Sequence, residues 1–118
     1  MGFLKNISSS SSSDAALVTE YQQHKQVAVL AELYQRYMEL VYGVCLKYLS
    51  DGELARDAVM NIFEELVVKL QHHEVDNFRP WLYTVAKNHC LMQLRSRKNI
   101  KITELGAVFV QSDENLHL

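Results

Sequence analysis

The sequence predicts an all-α domain, a compact bundle of about four helices. Apolar residues recur at spacings of three and four along most of the chain, which is the period of helices with one buried side. The only proline, Pro80, stands where a helix would begin, and the four glycines are scattered along the chain. These observations place the helices at approximately 14–24, 27–49, 52–71 and 80–98.

The composition fits one domain with a hydrophobic core. The chain has 118 residues, of which 48% are hydrophobic. Cys45 and Cys90 are its two cysteines, and both fall among apolar helical positions, so we expect buried, reduced thiols of an intracellular protein. No segment has transmembrane length, and residues 1–13 lack the apolar stretch of a signal peptide. We therefore expect a cytoplasmic protein with no membrane partner.

Capping signals indicate where the first and third helices begin. Residues 1–13 end in six consecutive serines and predict a disordered lead-in. Asp14 or a late serine can cap the first helix. The second helix is expected to be continuous. Ser50 and Glu53 have the three-residue spacing of a capping box, which would start the third helix.

The third helix has two distinct sides. Its buried stripe is predicted to consist of Ala55, Ala58, Val59, Ile62, Phe63, Leu66 and Leu70. Another side mixes acidic, amide and apolar groups, namely Glu53, Asp57, Met60, Asn61, Glu64 and Val68. Such a mixture suits a protein partner that carries arginines, with the apolar residues at a desolvated centre. The alternative is an ordinary exposed face with one or two harmless apolar residues.

The final helix is apolar on one side and cationic on the other. Leu82, Ala86, Cys90 and Leu94 gather on the apolar side, with Tyr83 beside them. The opposite side carries Thr84, Lys87, Asn88, Leu91, Arg95 and Lys98. No acidic residue occurs from Asn77 to Thr103. A helix of this kind is a candidate for lying on nucleic acid.

Charge is distributed unevenly between the two parts of the chain. Residues 1–78 carry six Lys/Arg and eleven Asp/Glu, a net charge of −5. Residues 79–118 carry six and three, a net charge of +3. An acidic body with a basic final helix suggests two partners, one for each sign of charge. A solvated surface with uneven charge is the alternative interpretation.

A loop at residues 71–79 precedes the final helix and is a plausible place to capture a base. An amide there can read base edges and a ring can stack, which makes candidates of Asn77, Phe78 and Arg79. Trp81 could also stack on a base, although an aromatic residue at the start of an amphipathic helix more often belongs to the core. Asn88 could contact DNA or cap a neighbouring helix.

The sequence lacks the residue patterns of an enzyme. His72 and His73 are adjacent, which makes a poor metal site without further ligands at useful spacing. His89 and Cys90 are neighbours on a helix and point about 100° apart, so they do not face each other as a base and a nucleophile. There is no glycine-rich phosphate loop. We therefore expect no catalytic residue, no metal and no cofactor.

Two segments together resemble the conserved domain of bacterial RNA polymerase sigma factors, and in particular the extracytoplasmic-function type. They are LAELYQRYMELVYGVCLKYLSDGELARDAVMNIFEELVVKL and FRPWLYTVAKNHCLMQLRSRK. The shared motifs are L-Y-x-x-Y at 33–37, A-x-D at 55–57 and W-L-Y-x-x-A-x-N at 81–88, with an aromatic helix end and a trailing arginine. The resemblance covers roughly residues 26–98, in the family's order and spacing.

The resemblance implies that the domain binds the RNA polymerase core and recognises the minus-ten promoter element. In the family, the helix matching residues 52–71 docks on the coiled coil of the β′ clamp. The loop matching 71–79 captures a flipped base of the non-template strand, and the helix matching 80–98 lies along promoter DNA. The implied polymerase-binding residues are Glu53, Asp57, Met60, Asn61, Glu64 and Val68. The implied DNA-binding residues are Asn77, Phe78, Arg79, Thr84, Lys87, Asn88, Leu91, Arg95 and Lys98.

The chain also departs from the family pattern. Met60 and Asn61 stand where the family usually has a glutamine followed by an acidic residue. Members normally continue into a helix-turn-helix domain, so we interpret residues 100–118, with their β-prone run at 107–110, as a linker or tail. We expect the N-terminal half of such a factor, unable to direct initiation efficiently by itself. An anti-sigma factor is a further partner that the family admits.

Two other functions remain open at this point. One is a helical protein–protein interaction module that has kept the fold and lost DNA binding. The other is a general binder of duplex DNA. Purified polymerase core separates them best, because the sigma-factor interpretation requires binding to it and the duplex-binder interpretation does not.

Overall fold

Five α-helices make up most of the part of the chain that the structure describes. The computed structural model describes the backbone of residues 12–105 and the side chains of residues 12–97. In chain order the helices are α1 Asp14–His24, α2 Val27–Gln35, α3 Met38–Leu49, α4 Gly52–His72 and α5 Phe78–Leu105. Helix α3 packs against both α4 and α5, whereas α1 and α2 lie against each other and against α4. The predicted all-α class is confirmed for the described residues.

The predicted second helix is in fact two helices, so the expectation of about four helices is wrong. Regular α-helical bonding stops at Arg36 and Tyr37, whose amides donate to carbonyl groups only three residues back, at 3.2 and 2.9 Å. Both side chains bind Asp14 of α1. The Arg36 guanidinium lies 2.9 Å from one carboxylate oxygen, and the Tyr37 hydroxyl donates to the other. The hydrogen bond to Asp14 raises the pKa of Tyr37 and keeps its hydroxyl a donor.

Asp51, and not the predicted capping box, caps the start of α4. The Asp51 carboxylate accepts hydrogen bonds from the amides of Glu53 and Leu54, at 2.9 and 3.0 Å. Ser50 instead closes α3, with a left-handed φ of 58°. The capping-box prediction is therefore wrong by one position. At α1 the late-serine alternative holds, since the Ser13 hydroxyl accepts from the Ala16 amide at 3.0 Å.

The two residues of this turn should respond differently to substitution. Asp51→Ala should lower the free energy of unfolding by about 1 kcal/mol, because two amides lose their acceptor. Ser50→Gly should leave that free energy unchanged or raise it, because glycine adopts a positive φ without a Cβ clash. Urea titration measures both effects. If Ser50→Gly lowered the free energy of unfolding as much as Asp51→Ala does, the result would support the capping box instead.

The core draws side chains from every helix of the described region. Those that are almost completely buried are Tyr21, Leu30, Leu33, Val41, Cys45, Ile62, Leu66, Leu70, Leu82 and Cys90. The predicted stripe of α4 is buried as expected, with Phe63 only half-buried at its margin. Both cysteines are buried free thiols, as predicted. A hydrogen bond with the Cys90 thiol, together with burial, raises the pKa of the Cys45 thiol.

Helix α5 is longer at both ends than the predicted 80–98. The amide of Trp81 donates to the carbonyl oxygen of Asn77 at 3.3 Å, so the helix begins directly after Asn77. Pro80 then falls in the first turn, where amide groups need no partner within the helix. The connecting loop is consequently residues 73–77 rather than 71–79. Most of the predicted lead-in and the β-prone run at 107–110 lie outside the described residues.

Candidate functional site

The first candidate surface is a stripe along α4, which we call the acidic–apolar face. It consists of Glu53, Asp57, Met60, Asn61, Glu64 and Val68, and all six residues are exposed. Their spacing of three and four places them along one side of the helix. Met60 is 60% and Val68 59% exposed, which is unusual for large apolar side chains. Apolar groups flanked by carboxylates are typical of a protein-binding surface.

A groove between α3 and α4 adjoins the acidic–apolar face. It encloses about 540 Å³ and is lined almost entirely by apolar atoms, from Met38, Glu39, Tyr42, Arg56, Val59 and Met60. Met60 belongs to both the groove and the face. Sequence reasoning missed the α3 wall of this groove. The available signal was that Met38 and Tyr42 lie one turn apart and outside the apolar repeat of their helix.

The second candidate surface is formed by the 73–77 loop and the first turns of α5. Asn77 and Arg79 are exposed there, as a base-capturing or phosphate-binding role requires. The ring of Phe78 is only 2% exposed and packs against the rings of Tyr37 and Trp81, with centroids 5.8 and 6.0 Å away. A buried ring cannot stack on a base without leaving the core. Phe78 is therefore a core residue in this structure, and its ring is not exposed to a base.

Trp81 is half-buried and belongs to the margin of the core. Its ring lies 6.0 Å from that of His73 at the start of the loop, and it packs against buried residues. Of the two alternatives for Trp81, the structure favours the core.

The exposed side of α5 is rotated relative to the cationic side that the sequence predicts. Thr84 and Asn88 are exposed, and the Thr84 hydroxyl donates to the carbonyl oxygen of Pro80 at 3.1 Å. Lys87 and Arg95 are half-buried, whereas Leu91 is buried at 8% exposure and is unsuited to direct contact with DNA. The side chain of Lys98 lies outside the described residues.

Two exposed large hydrophobic side chains of α5 were absent from the predicted DNA-binding residues. Tyr83, which was placed beside the apolar side, is 37% exposed, and Met92 is 60% exposed. Tyr83 lies one turn after Arg79 and one turn before Lys87, so the three residues share a side of the helix. That spacing of four between an aromatic residue and two cations was the available signal.

A contact between Glu65 and His89 joins the C-terminal half of α4 to α5, and Glu65 also pairs with Lys69 of its own helix. A carboxylate oxygen of Glu65 lies 3.1 Å from Nδ1 of His89, and the other lies 2.7 Å from Nζ of Lys69. His89 thus has a partner on α4, while the neighbouring thiol of Cys90 is fully buried. The Glu65–His89 contact therefore links the two helices that carry the candidate surfaces.

Neither a metal centre nor a membrane-spanning helix is found in the part of the chain that the structure describes. No three His, Cys, Asp or Glu side chains among residues 12–97 are grouped so as to hold a metal ion. Over the same part of the chain, each helix is too short or too polar to cross a bilayer.

Comparison with known proteins agrees with the motifs. Residues 33–100 match the family model for Sigma-70 region 2. The chain is also 30% identical over 81 residues to the ECF RNA polymerase sigma factor SigM of Bacillus subtilis (strain 168), an alignment that covers 66% of this chain and 50% of that protein. The chain thus spans about half the length of this curated relative. No solved structure matches the chain. The chain belongs to the Sigma-70 region 2 family.

Proposed function

We propose that this domain recognises promoters for an alternative sigma factor, by binding the β′ clamp of RNA polymerase core and the minus-ten element. The observation that carries this proposal is the presence of two exposed surfaces of opposite character on adjacent helices. The acidic–apolar face of α4 suits an arginine-bearing protein. Helix α5, with no acidic residue from Asn77 to Thr103, suits a polyanion. The domain would act by binding, with no chemical step of its own.

The acidic–apolar face is the proposed clamp-binding site. Met60 and Val68 would form its desolvated centre, with the carboxylates of Asp57 and Glu64 pairing with cations of the clamp. The adjoining groove would receive an apolar side chain of the same partner. Asn61 is exposed where the family usually has an acidic residue, so we expect one charge pair fewer at this point than in typical members.

The loop and the front of α5 are the proposed site for the non-template strand. Asn77 would read a base edge, and the exposed ring of Tyr83 would stack in place of the buried Phe78. Arg79 and Lys87 would contact phosphates on either side of that ring, with Thr84 between them and with Asn88 and Arg95 further toward the end of the helix. Stacking on an exposed ring needs an unpaired base, which favours a separated strand over a duplex. An anti-sigma factor would inhibit the domain by covering either surface.

Binding to purified polymerase core tests the proposal most directly. The chain should co-sediment with core polymerase and should bind single-stranded DNA more tightly than the matching duplex. Three or four phosphate contacts to a single strand give a slope of log affinity against log salt of about −2 to −3. Binding to core without any affinity for DNA would indicate the interaction module. Preference for duplex DNA without affinity for core would indicate a general duplex binder.

A further inference from the structure

Helix α1 ties down the end of the connecting loop that follows α4. Gln22 Nε2 donates to the carbonyl oxygens of Leu70, at 2.9 Å, and of His73, at 2.8 Å. Because α4 ends at His72, the carbonyl group of Leu70 is one of the last four, which have no partner within the helix. One amide group therefore joins the final turn of α4 to the first residue of the loop. The hydroxyl of Tyr21 reinforces this attachment by donating to the Val67 carbonyl at 2.7 Å.

The same helix also supports the other end of the loop. Asp14, in the first turn of α1, binds the hydroxyl of Tyr37. The ring of Tyr37 packs against Phe78, the residue that follows the loop. The loop itself is mainly exposed, and within it only Val75 packs against the core. Its path consequently depends on how its two ends are held.

We propose that Gln22 is a positioning residue for base recognition, which sets the place of Asn77 through the backbone of His73. The inference rests on the proposed function, because it concerns the loop assigned to base capture. It goes beyond that function in making α1, which lies outside the matched residues 33–100, part of the reading apparatus. Gln22 would touch neither DNA nor polymerase.

Two substitutions of opposite charge at Gln22 separate positioning from simple packing. Gln22→Glu keeps the length of the side chain but turns a carboxylate toward two carbonyl oxygens. Gln22→Lys restores a donor, and a cation near a helix C-terminus is favourable. Gln23 is exposed beside it on α1, so Gln23→Glu and Gln23→Lys are controls with identical charge changes.

The main measurement is base discrimination by the full 118-residue chain. Each position of a labelled single-stranded DNA oligonucleotide is occupied by each of the four bases in turn, and the affinity of the wild type for every strand is measured. The position at which the four affinities differ most is then used to compare the variants. Gln22→Glu should reduce that spread of affinities by about fivefold or more. A reduction of this size is what the loss of one base-edge contact would cause. Gln22→Lys and both Gln23 variants should retain it. Charge effects common to all four strands cancel in the spread.

A second readout follows the loop without any DNA. Trp81 is the only tryptophan and contacts His73, so its fluorescence reports directly on the loop. Gln22→Glu should shift its emission to longer wavelength, and Gln22→Lys should not. A merely stabilising role predicts a lower free energy of unfolding with unchanged emission and unchanged base discrimination well below the unfolding temperature.

The possible failures are distinguishable. If the wild type discriminates bases and Gln22→Glu does so equally well, only the role of Gln22 is refuted. If Gln22→Lys behaves like Gln22→Glu, the donated hydrogen bonds are not the cause, and the inference is again refuted. If the wild type shows no spread at any position, the proposed base reading is itself wrong and the inference falls with it.

Discussion

Reversing two charges on the acidic–apolar face should weaken binding to polymerase core at least tenfold, or about 1.4 kcal/mol. The variant is Asp57→Arg combined with Glu64→Arg. Both side chains are exposed on α4, and neither belongs to the buried stripe, so folding should be spared. The physical reason is repulsion between like charges at a partly buried interface. Co-sedimentation or fluorescence titration with core polymerase measures the change, and circular dichroism checks the helix content.

A charge-matched variant controls for long-range electrostatics. Glu20→Arg combined with Glu74→Arg changes the net charge by the same amount at exposed positions outside the acidic–apolar face. We expect it to bind core polymerase as the wild type does. Equal loss of binding in the two double variants, or full binding by the Asp57/Glu64 variant, would refute the assignment of the clamp-binding site to this face.

Base reading and phosphate anchoring should fail in different ways. Asn77→Ser removes the amide but keeps a residue type that favours the start of a helix. It should cost about 1–3 kcal/mol of discrimination between the preferred single strand and one with a single changed base, and leave the salt dependence unchanged. Lys87→Ala should weaken all strands alike and make the salt slope shallower by about 0.7. Titrations of labelled oligonucleotides at several salt concentrations, with and without core polymerase, provide both quantities.

The control for this comparison is Lys47→Ala, which removes the same charge from an exposed position on α3. It should alter neither the salt slope nor the base preference. Uniform weakening by Asn77→Ser together with altered base preference in Lys87→Ala would exchange the roles of loop and helix. No effect from either substitution would favour a protein-interaction module without DNA binding.

Local patterns in the sequence were sufficient for the helical class and for one whole surface. The spacing of apolar residues in α4 predicted its buried stripe, and every residue assigned to the acidic–apolar face is exposed. The prediction succeeds because apolar residues at helical spacing mark the buried side of a straight helix, and the remaining positions are then exposed. The motifs at 55–57 and 81–88 lie within single helices, whereas the motif at 33–37 crosses the end of α2, and the family match covers all three.

Contacts between residues distant in sequence decided where the structure departs from the helices and faces that local patterns predict. The break between α2 and α3 occurs where Arg36 and Tyr37 bind Asp14, more than twenty residues away in sequence. The burial of Phe78 likewise depends on the neighbouring rings of Tyr37 and Trp81, which a single-helix pattern does not include. Exposure of Tyr83 and burial of Leu91 follow from how α5 is rotated against its neighbours.

The sequence by itself therefore determined the family, the helical class and the two charged sides of the molecule. Only the tertiary structure decided which α5 side chains are available to a ligand and how the loop between α4 and α5 is held. The hydrogen bonds from Gln22 to Leu70 and His73 show why. They join an ordinary polar residue to backbone carbonyl groups about fifty positions away, and backbone acceptors are the same at every residue. Such a contact has no signature in residue type or period, so it is visible only once the helices are packed.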